Sequence, residues 1–162
     1  MLDNNDNAAS QLILLCGLPG AGKTTLAREL SETLPAIRLC PDDWMSDLNI
    51  DLHDEEFRDR LEARFKKLGY EILSAGQNVI LEFGFWVRSE RDEVREAAQK
   101  LGAAVELRYL NIPLEELWSR IEARNQSEMW NDTPITRQQF DSWLPLFQVP
   151  TDEEFKLFDS HA

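Results

Sequence analysis

This sequence has little of what marks a disulfide-stapled, zinc-bound or membrane-spanning protein. It contains two cysteines, Cys16 and Cys40. Two are too few for a disulfide framework, and neither lies in a CxxC or Cys/His grouping that would hold zinc. The two histidines, His53 and His161, stand apart from each other and from the cysteines. No apolar run approaches the roughly 20 residues that a bilayer requires. The opening stretch is acidic and polar, where a secretory signal would be basic and then apolar. The expectation is a short disordered lead over 1–10, then a single domain over 11–162, working in a reducing cytoplasm. Basic residues are also scarce, with Lys and Arg totalling 17 against 30 Asp and Glu, for a net charge of −13. A protein that grips a phosphodiester backbone normally shows a basic face. The balance therefore counts against nucleic acid, although a local basic groove remains open.

What is present alternates between two periods. Residues 11–16 (Gln-Leu-Ile-Leu-Leu-Cys) form a short apolar run that suits a strand buried on both faces of a parallel sheet. A glycine-rich turn follows, and then Leu26, Ala27, Leu30 and Leu34 recur at helical spacing until Pro35. A second short strand over 37–40 ends at Pro41, and 42–53 reads as acidic and irregular. Phe57, Leu61, Phe65, Leu68 and Ile72 predict a helix from Asp54 to about Gly76. A third strand over 79–81 ends at Glu82. Ser89, with Asp92 three residues on, predicts the cap of a helix that reaches Leu101 before Gly102. A fourth strand spans 105–110. Pro113 sits at the favoured first position of a helix running to about Asn125. Residues 126–134 read as loop, and Thr136 predicts the cap of a short helix stopped by Pro145. In the acidic tail, Phe155, Leu157 and Phe158 are candidates to dock on the domain. Strands separated by helices on short connections imply an α/β three-layer sandwich: a parallel sheet of four to five strands with helices on both faces. Ligands in that architecture bind beyond the carboxyl ends of the strands.

One such end carries Gly17-Leu18-Pro19-Gly20-Ala21-Gly22-Lys23-Thr24, which satisfies G-x-x-x-x-G-K-[ST]. Each part has a physical role. The glycines let the backbone curl and approach phosphates without a Cβ in the way. The loop N–H groups converge as an anion nest, and the following helix adds the positive end of its dipole. Lys23 reaches the β- and γ-phosphates, and the Thr24 hydroxyl coordinates Mg²⁺. The motif lies between a buried strand and an amphipathic helix, as its mechanism requires. It predicts a P-loop NTPase fold that binds ATP and Mg²⁺.

Carboxylates occupy two more strand ends. Asp42 and Asp43 follow the second strand, where a carboxylate would orient an acceptor hydroxyl and take its proton. The same residues suit an acidic turn after a proline. Glu82 would hold Mg²⁺ through water or orient the acceptor, or simply face solvent. Phe83, Phe85 and Trp86 are candidate pocket walls or core residues. Arg120 and Arg124, four apart, project from one face of the helix after Pro113. From there they would close over the transferring group, or would only complement the helix dipole. A helical lid is therefore expected around 113–147.

Taken together, these residues resemble the small P-loop kinases that include polynucleotide 5′-kinase domains, chloramphenicol phosphotransferase and zeta toxins. They are especially similar to short bacterial ATP-binding proteins of that clan described as AAA-family ATPases or kinases. The resemblance covers about 12–125. It rests on 17–25 (through Thr25), on Asp42-Asp43, on the strand 78–82, and on Ile112-Pro113 leading to Arg120 and Arg124. It implies that Asp42 is the base and Arg124 the lid arginine, with Arg120 beside it. It also implies that the loop residues through Thr25 hold phosphates, and that Glu82 stands where polynucleotide kinases carry an aspartate. Where those kinases place an acceptor-binding arginine three residues after the base, this chain has Met45. The expected activity is transfer of the γ-phosphate of ATP to a small hydroxylated molecule, with Asp43, Glu82 and Trp86 near the acceptor. A polynucleotide 5′-hydroxyl kinase and an ATPase or switch without an acceptor are the alternatives.

Overall fold

Along the first strand, β1 (Gln11–Cys16), alternate side chains are committed to opposite layers. Leu12, Leu14 and Cys16 enter one core cluster with Phe65, Leu73, Val94 and Ala98. Ile13 and Leu15 enter another with Ala27, flanked by Leu26, Leu30 and Leu34. The period of 2 explains how one run of apolar residues serves both faces. The computed structural model describes residues 9–127 and 134–162. Most of the lead expected over 1–10 and of the loop expected over 126–134 lies outside the described residues.

Helix α1 (Lys23–Thr33) packs against the second face. Strand β2 (Ala36–Leu39) follows, then α2 (Pro41–Asp47), α3 (Glu55–Ser74), β3 (Asn78–Gly84), α4 (Arg88–Lys100) and β4 (Ala104–Tyr109). After these come α5 (Leu114–Asn125), α6 (Arg137–Trp143), a short 3-10 turn (Leu144–Leu146), α7 (Asp152–Phe155) and β5 (Ser160–His161). The strands form one sheet in the order β2-β3-β1-β4-β5, with every pairing parallel. Helices α3 and α4 supply the first face with Phe65, Leu73, Val94 and Ala98. The α/β three-layer sandwich with a five-stranded parallel sheet is thus present. Because β1 pairs with β3 on one side and β4 on the other, the carboxyl end of β1 is the switch point of the sheet. The glycine-rich turn begins there.

Several local expectations hold. The helix expected from Asp54 is present as α3, although Asp54 is its cap and not in its first turn, its carboxylate accepting from the Phe57 N–H at 2.9 Å. Thr136 and Gln139 form a reciprocal capping box on α6. Phe158 is buried in the main core and Phe155 packs against it, whereas Leu157 is exposed.

Others are corrected. The segment 42–53, read as irregular, begins in helix α2 (Pro41–Asp47). Pro41 stands in the first turn with Asp42 and Asp43, a combination favoured by fixed φ and by the helix dipole. Seven residues are too few to display a period, so the pattern was invisible. Strand β3 does not end at Glu82 but continues to Gly84. Helix α4 starts at Arg88 with Val87 as its cap, so Ser89 lies inside the first turn and caps nothing. Anchoring of the preceding turn by Arg91 overrides the local capping preference. Pro113 is the cap of α5 and not its first residue. The fifth strand, β5, had no signal of its own, being two residues long.

Candidate functional site

The loop after β1 is shaped by two glycines at positive φ, Gly20 at 85° and Gly22 at 95°, where an ordinary side chain would be strained. A Cβ on Gly20 would also meet the Leu117 carbonyl at 3.1 Å and the Ile121 Cγ1 at 3.2 Å. The loop therefore lies tight against α5. Leu18 and Ala21 turn inward and join Leu117, Ile121 and Phe140 in a separate apolar cluster. Pro19 stands between Leu18 and Gly20 on the half-buried rim. Gly22 caps α1 without a side-chain bond, and the first turn of α1 contains no acid. The positive end of that helix is thus left for a ligand.

Lys23 folds back over the loop, and its Nζ donates to the Gly17 carbonyl at 3.0 Å and the Leu18 carbonyl at 3.1 Å. Burial pushes its pKa down to about 8, while Asp42 pulls it up and Arg124 presses it down further. Asp42, from the start of α2, and Arg124, from the end of α5, thus both act on the lysine charge. Arg120 reaches the loop directly, its Nη1 donating to the Gly20 carbonyl at 3.3 Å and its Nη2 to Glu116 Oε1 at 2.6 Å. The adjacent Thr24 and Thr25 open α1, Thr24 half-buried and Thr25 exposed.

Thr24 also lies beside Glu82, close enough for its side chain to favour the charged carboxylate. Glu82 is buried and gripped by Arg38, Nε to Oε2 at 3.0 Å and Nη2 to Oε1 at 3.1 Å. Burial raises the Glu82 pKa, and Arg38 opposes the rise. The register makes this pair: Arg38 aligns with Ile80 across β2 and β3, so Glu82, two residues on, shares its face. Asp43 approaches the same Arg38 at 3.6 Å. Asp42 is more than half exposed and bonds Arg58 of α3 at 2.7 Å, while Arg58 also donates to the Leu52 carbonyl. Trp44, exposed on α2, meets Phe65 edge-on, and Phe65 stacks on Phe83.

The structure gathers Lys23, Thr24, Asp42, Asp43, Glu82, Arg120 and Arg124 around the carboxyl ends of β1, β2 and β3. Trp86 goes elsewhere. It is half-buried against Trp143 of α6, with ring centroids 6.0 Å apart, and its carbonyl accepts from Gln148. Phe85 is fully buried in the core.

Two functional candidates were missed by sequence, Arg38 and Arg58. Arg38 left a faint trace as a charge inside an apolar strand, whereas Arg58 left none. Beyond the loop, Leu18, Tyr109, Asn111, Leu117 and Phe147 are among the residues lining a cavity of about 320 Å³. Among the described residues no trio of His, Cys, Asp or Glu forms a metal cluster. The observed set instead suits Mg²⁺ held by one hydroxyl, a nearby carboxylate, water and phosphate oxygens. The positive-φ cradle and the lysine over it likewise fit a phosphate chain. No helix among the described residues is long and apolar enough to cross a membrane.

Residues 12–150 match the model of a family described as an AAA domain. No curated protein matches the chain. Among solved structures, the Pnkp1/Rnl/Hen1 RNA repair complex has a chain 23% identical, with a TM-score of 0.70 over 96% of this chain and 48% of that one. The present chain thus spans about half the length of that relative. Kti12 from Chaetomium thermophilum, in complex with ADP-AlF3, is 19% identical with a TM-score of 0.62, covering 88% of this chain and 82% of its own. A gluconokinase from Sinorhizobium meliloti 1021 is 20% identical with a TM-score of 0.57, covering 90% and 79%. At these identities the likeness shows the fold, which is P-loop kinase-like.

Proposed function

Because the chain belongs to the AAA domain family within the P-loop kinase-like clan, we propose that it is an ATP- and Mg²⁺-dependent kinase that transfers the γ-phosphate to a hydroxyl of a small molecule. The observation that carries this reading is the convergence on Lys23. The loop carbonyls hold its ammonium, and Asp42 and Arg124 both lie close enough to shift its charge. A phosphate-binding lysine, an acceptor-side carboxylate and a lid arginine are the parts that phosphoryl transfer to an alcohol requires.

In this reading the loop amides and Lys23 bind the β- and γ-phosphates. Thr24, with Glu82 behind it, holds the metal side. Mg²⁺, when bound, neutralises phosphate charge. Asp42 orients the acceptor hydroxyl and takes its proton as the oxygen bonds to the γ-phosphorus and the bond to the β-phosphate oxygen breaks, leaving ADP. Arg120, already on the loop, and Arg124 stabilise charge on the transferring group. Asp43, through Arg38, and Arg58, through Asp42, set the acceptor-side geometry, while Trp86, turned toward Trp143, takes no part in it.

Three observations favour a small acceptor over a polynucleotide. The net charge is −13, Met45 is fully buried where the resemblance to polynucleotide kinases would place an arginine, and the nearby Arg38 and Arg58 are already committed to Glu82 and Asp43 and to Asp42. The test is transfer from γ-labelled ATP with Mg²⁺ against pooled metabolites, hydroxylated antibiotics and 5′-hydroxyl oligonucleotides. One labelled pool, lost in Lys23→Ala and Asp42→Asn, supports the kinase and names the acceptor class. ATP binding without product in any pool moves the assignment to an ATPase or switch.

A further inference from the structure

The turn that ends β3 is another place where the backbone is left-handed. Gly84 and Phe85 are consecutive residues at positive φ, 83° and 49°. For phenylalanine that conformation is strained and persists only where surrounding contacts hold it. The reason for the turn is its neighbour, the first residue of the phosphate loop. The Gly17 N–H donates to the Gly84 carbonyl at 2.9 Å. A Cβ on Gly84 would come within 3.1 Å of the Gly17 carbonyl oxygen, one of the two oxygens that hold Lys23.

What holds Phe85 comes from far along the chain. Its carbonyl is buried and accepts from Arg91 Nη1 at 2.7 Å and from the Cys16 thiol at 3.4 Å. Arg91 is itself fully buried. Its Nε and Nη2 form a fork on the carboxylate of Glu154, a residue 63 positions later and also fully buried, with Nη2–Oε2 at 2.9 Å. Glu154 belongs to α7, whose cap Thr151 accepts from the Glu154 N–H. The stretch before α7 bonds to the same turn: the Gln148 N–H donates to the Trp86 carbonyl at 2.7 Å, and the Arg88 N–H to Gln148 Oε1 at 2.9 Å.

Stability alone does not call for this arrangement. Apolar residues of similar volume replace a buried ion pair with little or no loss, and sometimes with gain. What apolar residues cannot do is donate to the Phe85 carbonyl. We propose that Arg91 and Glu154 are positioning residues for the phosphate loop: the pair clamps the left-handed turn at Gly84–Phe85 and thereby fixes Gly17 and the lysine-holding carbonyl. The segment 148–154 is, on this account, part of the nucleotide site although it touches no phosphate. The inference rests on the reading of the loop as an ATP site.

The test compares ATP affinity, by titration calorimetry with Mg²⁺, with thermal stability in four variants of the full chain. Arg91→Met combined with Glu154→Leu, which leaves the Phe85 carbonyl only the Cys16 thiol, is expected to lower the melting temperature by no more than Leu73→Ala does and yet to bind ATP at least tenfold more weakly. Glu154→Gln, which keeps the shape and leaves Arg91 loosely held, is expected to lose about threefold or more. Exposed Glu153→Gln, on the same helix, is expected to bind as wild type. Leu73→Ala, a core truncation on α3, is expected to lower the melting temperature without weakening ATP binding below that temperature. Wild-type-like affinity in the folded double variant overturns the proposal. So does equal weakening by Leu73→Ala, which would mean that affinity merely follows stability. If the double variant does not fold, undiminished affinity in Glu154→Gln overturns it. Failure of the wild-type chain to bind ATP would remove the ATP-site reading itself, an outcome distinct from all of these.

Discussion

The two halves of the candidate site are built differently. On the nucleotide side, the groups that would hold the phosphate chain are chiefly backbone amides and one lysine within 17–25, on a loop curled by its own glycines. On the acceptor side, the working contacts are side chain to side chain and join distant elements: Arg38 of β2 with Glu82 of β3, and Asp42 of α2 with Arg58 of α3. A backbone cradle presents the same amides whatever acceptor stands opposite it, so the same loop serves many acceptors. A web of paired charges takes its geometry from the packing of four elements. It can be retuned by single substitutions, and that is where specificity is expected to reside.

The sharpest way to break this comparison is to remove one group from each half. Lys23→Ala is expected to lower both ATP affinity and transfer by a factor of 100 or more. Asp42→Asn is expected to lower transfer by about 10²–10⁴ while leaving the ATP dissociation constant within about threefold. Titration calorimetry beside a labelled-phosphate assay reads both. Equal losses of ATP affinity in the two variants would mean the halves are not separable.

Next in size is the buried grip on Glu82. Arg38→Met leaves that carboxylate, whose side chain is 1% exposed, without its cation. Stranding one member of such a pair is expected to cost roughly 3 kcal/mol, read as a lower denaturation midpoint. Arg38→Met with Glu82→Leu is expected to recover most of that stability and to remain defective in Mg²⁺-dependent ATP binding.

The pH dependence probes the nucleotide side alone. The Lys23 pKa in the free protein lies near 8, below its ordinary 10.5. Phosphate oxygens would raise it again, so above pH 8 nucleotide binding takes up a proton. Affinity for ATP is expected to be flat below pH 8 and to fall by up to about tenfold per pH unit above it. Calorimetry at pH 8.8 in two buffers of different ionisation enthalpy measures the uptake. Equal heats in both buffers would show that the lysine is already charged.

The smallest effect lies outside both halves, where Glu62 of α3 meets Glu90 of α4. Burial, and then Glu90, lift the Glu62 pKa to about 7. The folded chain therefore retains a proton that the unfolded chain releases near 4.5, and stability drains away as pH rises from about 4.5 to 7. Glu62→Gln is expected to stabilise the protein by about 1 kcal/mol at pH 8 and by little at pH 4.5. Chemical denaturation at the two pH values checks the difference.

The local layer of this molecule was legible because local rules govern it. Residues 11–34 display a buried strand, a glycine loop and an amphipathic helix in an order that the structure repeats. The cap at Thr136 involves a partner three residues away, and it is present. The errors have a common cause. Ser89 was a sound local cap that lost to a turn fixed by Arg91, and β3 ran on past Glu82 because β1 continues beside it.

By itself, then, the sequence determined the phosphate loop, the strand–helix alternation and hence the parallel α/β sandwich. These depend on periodicity, φ preferences and contacts a few residues long. Only the tertiary structure decided that Glu82 belongs to Arg38 and Thr24, that Asp42 faces Arg58, and that Glu154 is buried against Arg91 beneath the loop. A charged residue in a one-dimensional chain names its chemistry but not its partner. The partner is fixed by strand register and helix packing, which bring together side chains 16, 44 and 63 positions apart.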